Sequence, residues 1–443
     1  MREPVKISQT DDEAELIIGN QRHRFRGQWI TGTPWERFGL YNAYVVVHAD
    51  GTVAEVTAHS GELVPGATED LIDYIKEQWS NLDQPTAPLT LEIDPTNACL
   101  SRDCGTRCFS AAYRRLNPKA QIDGPVIADL LTAFAREGGK IVRFDGGGDP
   151  LLHRDVRNGA LLGKAKQLGL KSALLTSGEL LASSDLPALA DSDCYLRVSI
   201  NACTDSTRKA FHGNDCSAKS VFDAVERFAG LLANKGTCVP VGASFLLDTL
   251  NFREMLDCAK ICRTIGIRHF SVRRVLGPQS LRPNFTETQL REVENLLEEV
   301  SSLNAPSFRV FVPWRPVDEP DLAPRSGSIP AAQCWQSTFK TIIEPFASDQ
   351  TFRAQLCGRY RGCGMGQALQ LPALFQKESP VTWVHRWRDS FDVYPHSRGE
   401  LVRFCPSCID RGFILMIEGL LNAVGKKSAD FSLLHLKRSC QPR

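Results

Sequence analysis

From residue 88 the chain alternates short apolar runs with longer amphipathic stretches, and this alternation restricts the fold more than any other feature. Strands are predicted near residues 89–94, 140–145, 171–176, 194–200, 239–247 and 268–275, each followed by a helical stretch. Val221, Val225, Phe228 and Leu232 recur at 4-3-4 spacing, and Leu290, Val293, Leu297 and Val300 at 3-4-3. Both patterns put an apolar stripe on one helix face. Thr286, with Gln289 three residues on, is a capping box that starts the second of these helices. Six strand–helix units of this kind imply parallel strands joined by right-handed crossovers. The expected fold is α/β, a partial (β/α)6 TIM-like barrel over residues 86–305.

In a parallel barrel the site is built at the C-terminal ends of the strands. Four polar or glycine-rich signals fall at that rim. Cys99, Cys104 and Cys108 follow the first strand, and Gly146-Gly147-Gly148-Asp149-Pro150 follows the second. Thr176-Ser177-Gly178 ends the third, and Asn201 lies just past the fourth. Three thiolates on one loop can hold three irons of a [4Fe–4S] cube and leave the fourth open to a small molecule. Zinc is the competing occupant, although a structural zinc site needs a fourth protein ligand; cysteines that bind nothing are the third reading. The three glycines permit close backbone approach. By itself this segment also reads as a tight strand-to-helix turn, but it is no dinucleotide loop, lacking GxGxxG spacing and carrying Pro150.

Taken together, the cysteine loop and the Asp145–Leu151 segment resemble the radical S-adenosylmethionine (SAM) superfamily. There a cysteine loop after the first barrel strand carries the cluster, and a "GGE" segment after the second receives the methionine end of SAM. Leu174-Leu-Thr-Ser-Gly178 resembles the family's "TNG" strand end, Tyr195–Asn201 its "VRVSLDG" strand, and Phe211-His212-Gly213 its "IHG" turn. The resemblance covers about residues 88–275, and a weaker match extends to residue 411. Two departures stand out. The family loop is CxxxCxxC with an aromatic before the last cysteine, whereas here each gap gains one residue and the aromatic, Phe109, follows Cys108. Asp149 also stands where the family has Glu.

The resemblance implies a [4Fe–4S] cluster on Cys99, Cys104 and Cys108, and a SAM site formed by Gly146, Gly147, Gly148, Asp149, Ser177, Ser199, Asn201 and Phe109. Ser177, Ser199 and Asn201 read equally well as caps of neighbouring helices. Arg273 or Arg274 could meet a carboxylate, and only one can face inward because side chains alternate along a strand. Asp94 and His153 also lie near the rim, with nothing that promotes them to acid–base catalysts.

The region 306–443 resembles the SPASM or twitch extensions of the same superfamily. Cys334 and Cys357 flank a probable hairpin, and Cys405-Pro-Ser-Cys408 resembles the closing knuckle. The resemblance implies that Cys334, Cys357, Cys405 and Cys408 hold an auxiliary cluster, with Cys363 as a substitute ligand. Zinc would fit four thiolates as well. Of the 15 cysteines, Cys194, Cys203, Cys216, Cys238, Cys258, Cys262 and Cys440 are scattered and read as small buried hydrophobes.

Residues 1–85 predict a small α+β domain, with a hairpin joining Tyr44–His48 to Val53–Val56 and a helix from about Thr68 to Ser80. The expectation is a capping layer over one end of the barrel; a peptide-recognition module of the kind fused to enzymes that modify ribosomal peptides is the alternative. The 52 basic and 51 acidic residues leave no global footprint for nucleic acid. With no secretion signal and no apolar run of 18 residues, the expectation is a cytoplasmic protein without a membrane segment. The family reading implies a radical SAM enzyme. It would act on a small-molecule or peptide substrate in natural product biosynthesis and draw electrons from a flavodoxin- or ferredoxin-type donor. An RNA-modifying enzyme and a non-catalytic iron–sulfur scaffold are the alternatives.

Overall fold

The computed structural model describes residues 86–101, 108, 117–237, 241–274, 285–305, 307–312 and 340–345, with the backbone alone for Arg274 and for strands elsewhere. The chain divides into two compact units, one of residues 1–85, 324–339 and 390–443, the other of residues 86–323 and 340–389. In the first, β1 (Val5–Gln9), β2 (Glu13–Ile18) and β3 (Gln21–Arg26) form an antiparallel meander. The hairpin expected from the sequence is present as β4 (Ala43–Val47) and β5 (Val53–Ala58). The helix expected at 68–80 lies outside the described residues.

The second unit carries the six predicted strands within a residue or two of their expected limits: β6 (Thr90–Ile93), β7 (Ile141–Phe144), β8 (Lys171–Thr176), β9 (Tyr195–Ser199), β10 (Val241–Leu247) and β11 (His269–Arg274). The sheet is wider than six strands. β12 (Arg309–Phe311) adds in parallel beyond β11, and β13 (Lys340–Pro345) adds in parallel beyond β6. β14 (Phe352–Gln355) then pairs antiparallel with β13, as a hairpin there requires. The order is β12-β11-β10-β9-β8-β7-β6-β13-β14, an open sheet of eight parallel strands and one antiparallel edge. In the first unit the last described strand, β15 (His435–Arg438), pairs parallel with β5.

The helices between the strands are α1 (Gly124–Arg136), α2 (Arg154–Arg157), α3 (Ala160–Gln167), α4 (Leu186–Asp191), α5 (Asp205–His212), α6 (Ala218–Asn234), α7 (Met255–Thr264) and α8 (Glu287–Ser302). Both apolar stripes read from the sequence are buried, Val221/Val225/Phe228/Leu232 on α6 and Leu290/Val293/Leu297/Val300 on α8. The capping box at α8 forms in full: Gln289 N donates to Thr286 Oγ1 at 3.2 Å, and Thr286 N donates to Gln289 Oε1 at 2.9 Å. Such a box satisfies two otherwise orphaned donors and contributes about 1 kcal/mol.

Strand register assigns the two faces of the sheet different chemistry. Leu91, Ile93, Val142, Phe144, Leu196, Val198, Phe245, Phe270 and Val272 share one face and are buried. The opposite face carries Glu92, Arg143, Tyr195, Arg197, His269 and Arg273. The buried charge of Arg143 is compensated locally. Arg143 lies 3.6 Å from Glu92 and hydrogen-bonds Asp145, while Lys340 reaches Glu92 at 2.5 Å. Burial opposes the Arg143 charge, but Asp145 and Glu92 more than offset it and raise its pKa. One glycine on this face is required by packing. Tyr195 Oη reaches His269 Nδ1 at 3.0 Å across Gly242, where a Cβ would sit 2.0 Å from that hydroxyl.

Candidate active site

The site begins where β6 ends. Asp94, Thr96 and Ala98 lead to Cys99, and the glycine segment after the neighbouring β7 is stitched to this stretch by three hydrogen bonds. Gly147 N donates to Asp94 Oδ2 at 2.9 Å, Gly148 N to the Thr96 carbonyl at 3.0 Å, and Asp149 N to the Ala98 carbonyl at 2.8 Å. Asp94 is therefore a fastener between two strand ends. Gly148 is required by this approach: a Cβ on it would lie 1.9 Å from the Ala98 carbonyl oxygen. Neither Gly146, Gly147 nor Gly148 has positive φ, so close approach rather than backbone freedom explains glycine at 148.

Asp149 joins the glycine segment to the end of β8. Its carboxylate accepts from Leu151 N at 3.0 Å, from the Thr176 hydroxyl at 2.9 and 2.8 Å, from Ser177 N at 2.9 Å and from Ser177 Oγ at 2.6 Å. Five donor contacts occupy the lone pairs of both oxygens. Its observed task is to hold two rim segments in register. Ser177 does not cap a helix; its hydroxyl points to Asp149. Gly178 follows in the left-handed region at φ 83°, and completes the turn.

A second network crosses the rim from the cysteine loop to β9. Asn201 Nδ2 lies 3.4 Å from His212 Nε2, His212 Nδ1 lies 3.2 Å from Ser101 Oγ, and Ser101 Oγ donates to Glu179 Oε1 at 3.0 Å. The chain of donors is consistent with a neutral imidazole protonated on Nδ1: the Asn201 amide donates to Nε2, and Nδ1–H donates to Ser101. Glu179 also accepts from Asn214 Nδ2 at 2.6 Å and faces the buried Arg208 guanidinium at 3.4 Å. Burial holds the Glu179 carboxyl above its ordinary range, against the opposing pull of Asn214 and Arg208. Asn201 does not cap a helix either. Its Oδ1 accepts from Leu246 N at 2.8 Å, and its carbonyl accepts from Asn251 Nδ2 at 2.9 Å, which locks the β9 and β10 ends together.

Glu179, Arg208 and Ser101 were not singled out by sequence reasoning. The one available signal was an arginine one turn before His212 on an otherwise amphipathic helix. His153 is structural: Nε2 meets the Ile122 carbonyl at 2.9 Å, and Nδ1 accepts from Asp155 N at 3.3 Å to cap α2. Ser199 is half-buried on the charged face of β9, and Arg273 stands on that face near Arg197 and His269. Cys99 and Cys108 form no disulfide, and each is half-buried. Cys104 and Phe109 lie outside the described residues, as do Cys334, Cys357, Cys363, Cys405 and Cys408.

The donor set fits an iron–sulfur cluster. Cys99 and Cys108, two of its three cysteines, are half-buried and in no disulfide, thiolate sulfur is the ligand such clusters take, and the backbone of the neighbouring loop is pinned at three points.

No protein-family model matches the sequence, and no curated protein matches it. Solved structures do. The fold is similar to that of SuiB from Streptococcus suis bound to S-adenosylmethionine, with TM-score 0.51, 14% identity, and coverage of 76% of this chain and 72% of that one. It is equally similar to SuiB bound to the precursor peptide SuiA, with TM-score 0.51, 16% identity, and coverage of 80% of this chain and 74% of that one. The fold is thus the open α/β partial barrel that the radical SAM resemblance implies.

Proposed function

We propose that the protein is a radical SAM enzyme whose cluster is held by Cys99, Cys104 and Cys108. The observation that carries the reading is the triple stitch between the cysteine-loop stem and the glycine segment at the C-terminal rim of a parallel sheet. Two loops from adjacent strands are held rigidly enough there to present a cluster and a cosubstrate to each other. Cys99, Cys104 and Cys108 would hold the cluster, which when bound and reduced would supply the electron for cleavage of SAM to a 5′-deoxyadenosyl radical able to take a hydrogen atom from the substrate.

The chain's own residues bind and position. The backbone of Gly146–Gly148 would receive the SAM ammonium, while Asp149 keeps Ser177 and the glycine segment in register. Ser199 and Asn201 approach the ribose or carboxylate from β9. Phe109 completes the adenine side. His212, hydrogen-bonded between Asn201 and Ser101, transmits the position of the cysteine loop to the β9 end. The charged inner face, with Arg197 and Arg273, keeps the interior polar toward the substrate.

The substrate is a peptide or a small molecule; the likeness to SuiB in its peptide-bound form favours a peptide. Electrons come from a flavodoxin- or ferredoxin-type donor. Cys334, Cys357, Cys405 and Cys408 hold a second cluster in a twitch-like arrangement, which the β13–β14 hairpin between Cys334 and Cys357 supports.

Anaerobic reconstitution should give about eight irons per chain, for two cubane clusters. Replacing Cys99, Cys104 and Cys108 together by alanine should remove about half and abolish formation of 5′-deoxyadenosine. Iron and 5′-deoxyadenosine unchanged in that variant would refute the assignment.

A further inference from the structure

Away from the cysteine loop, three cysteines that look scattered in the sequence converge. Cys203 lies in the turn between β9 and α5, two residues after Asn201. Glu254 ends the 3-10 turn that precedes α7, and Cys258 sits in the first turn of α7. The sulfurs of Cys203 and Cys258 and a carboxylate oxygen of Glu254 all lie within 4.8 Å of one another. Cys258 and Cys262, one turn further along α7, are fully buried, whereas Cys203 and Glu254 are half-buried. Reading Cys203, Cys258 and Cys262 as independent core residues therefore misses their position.

We propose that Cys203, Glu254 and Cys258 form a binding site for a thiophilic divalent cation of the zinc type, with the fourth position left to water. The carboxylate is pre-positioned. Glu254 Oε2 accepts from Cys203 N at 2.7 Å and from Thr204 N at 3.1 Å, and Oε1 accepts from Thr204 Oγ1 at 2.5 Å. A hydrogen bond from Thr207 adds to these three, so metal entry would displace one hydroxyl donor from the carboxylate. Although burial pulls the other way, hydrogen bonds from Thr204, Thr207 and the Cys203 and Thr204 amides hold the Glu254 carboxyl below its usual range. It is ionised at neutral pH. Burial, then Cys203, Cys262 and Glu254, push the Cys258 thiol far above its ordinary value.

Metal entry exchanges thiol protons for charge. One M2+ binds two thiols and one carboxylate, two S–H protons leave for solvent, and no oxidant or reductant is involved. Two soft sulfurs with one oxygen select zinc over magnesium or calcium. Glu254 is the N-cap of α7 and Cys258 lies in its first turn, close to the turn that carries Cys203. The bound ion would clip the Asn201-bearing turn to the start of α7 and fix the β9–β10 sector of the rim. The proposal is independent of the radical SAM reading.

The test is a Co2+ titration of the full chain, stripped with chelator under reducing, anaerobic conditions. Cobalt should bind with a thiolate-to-cobalt charge-transfer band and intense tetrahedral d–d bands, at one equivalent per chain more in wild type than in a Cys203→Ser/Cys258→Ala double variant, and zinc should displace it. Two released protons make the apparent affinity rise about 100-fold per pH unit while both thiols are protonated. The Cys203→Ser/Cys258→Ala double variant should lose that cobalt, whereas the Cys99/Cys104/Cys108 triple alanine variant should retain it. If the double variant does not fold, Cys203→Ser alone, on a half-buried turn, should weaken cobalt binding about 100-fold and reduce the charge-transfer intensity. The proposal is overturned if cobalt stoichiometry, spectrum and pH dependence are the same in wild type and in whichever of these variants folds.

Discussion

Replacing Gly148 by alanine introduces a single methyl group where the chain has no room for one. Its Cβ would lie 1.9 Å from the Ala98 carbonyl oxygen and 2.7 Å from the Ala98 and Asn97 carbonyl carbons. All three obstructing atoms are backbone, so no rotamer change relieves the contact. The cysteine-loop stem and the glycine segment must instead separate by more than about 1 Å to reach ordinary contact distance. That movement strains the packing by about 1–3 kcal/mol. It also breaks the Gly148–Thr96 and Asp149–Ala98 hydrogen bonds, each contributing about 1 kcal/mol. The expected loss is about 3–5 kcal/mol, read as a lower urea midpoint at unchanged m-value. Iron content after reconstitution and SAM affinity should fall with it, because both ligands depend on the same apposition. Gly163→Ala is the matched control. It lies within α3 with nothing inside 4 Å of its would-be Cβ, and should stabilise by about 0.5–1 kcal/mol. If Gly148→Ala leaves midpoint, iron content and SAM affinity at wild-type values, the two loops are not rigidly apposed and the reasoning fails.

Asp149→Asn keeps the shape but replaces an acceptor oxygen by an NH2 group facing donors from Thr176 and Ser177. A loss of about 2–4 kcal/mol is expected from charge-assisted bonds of this kind; an unchanged urea midpoint would show that the carboxylate does not organise the rim. His269 is held neutral in the folded chain, with burial as the main cause and Arg273 and Arg197 adding to it. The unfolded chain takes up the proton that the native chain refuses, so stability conferred by neutral His269 is present above about pH 6.5 and is lost as pH falls below it. The slope is up to about 1.4 kcal/mol per pH unit. His269→Gln should flatten the stability profile below pH 6.5, and a profile of unchanged slope would contradict the assignment. Gly242→Ala should drive the Tyr195 hydroxyl off His269, at a cost of about 1–3 kcal/mol. A Tyr195→Phe/Gly242→Ala double variant should be less destabilised than the sum of its parts, and strict additivity would refute the link.

The strand positions were legible because each strand is a compact apolar run between helical stripes, so β6 to β11 follow from periodicity. β13 was harder to assign to the sheet. Lys340–Pro345 reads as one arm of a local hairpin, and its pairing with β6 depends on a partner far away in sequence. The rim motifs could be read from glycine and cysteine clustering. Their wiring could not. Nothing in the run of residues around Asp149 says that its carboxylate turns toward Thr176 and Ser177, since that depends on two strands lying side by side. Cys203 and Cys258 give the same lesson at greater range. Separated by two helices and a strand, each resembles a core cysteine, and only the crossover brings them together.

The pairing of β6 with β13 has a consequence during synthesis. β6 is the first strand of its sheet to leave the ribosome, and the strand that covers its outer edge begins at Lys340, about 250 residues later. At about 5–20 residues per second this leaves the β6 edge open for about 12–50 s while β7 to β12 assemble on its other side. An open edge of backbone donors and acceptors invites pairing with a foreign strand. Here the waiting edge is flanked by Glu92, which meets Lys340 once the covering strand arrives. A charged residue on a nascent edge disfavours the wrong partner, and its ion pair rewards the right one.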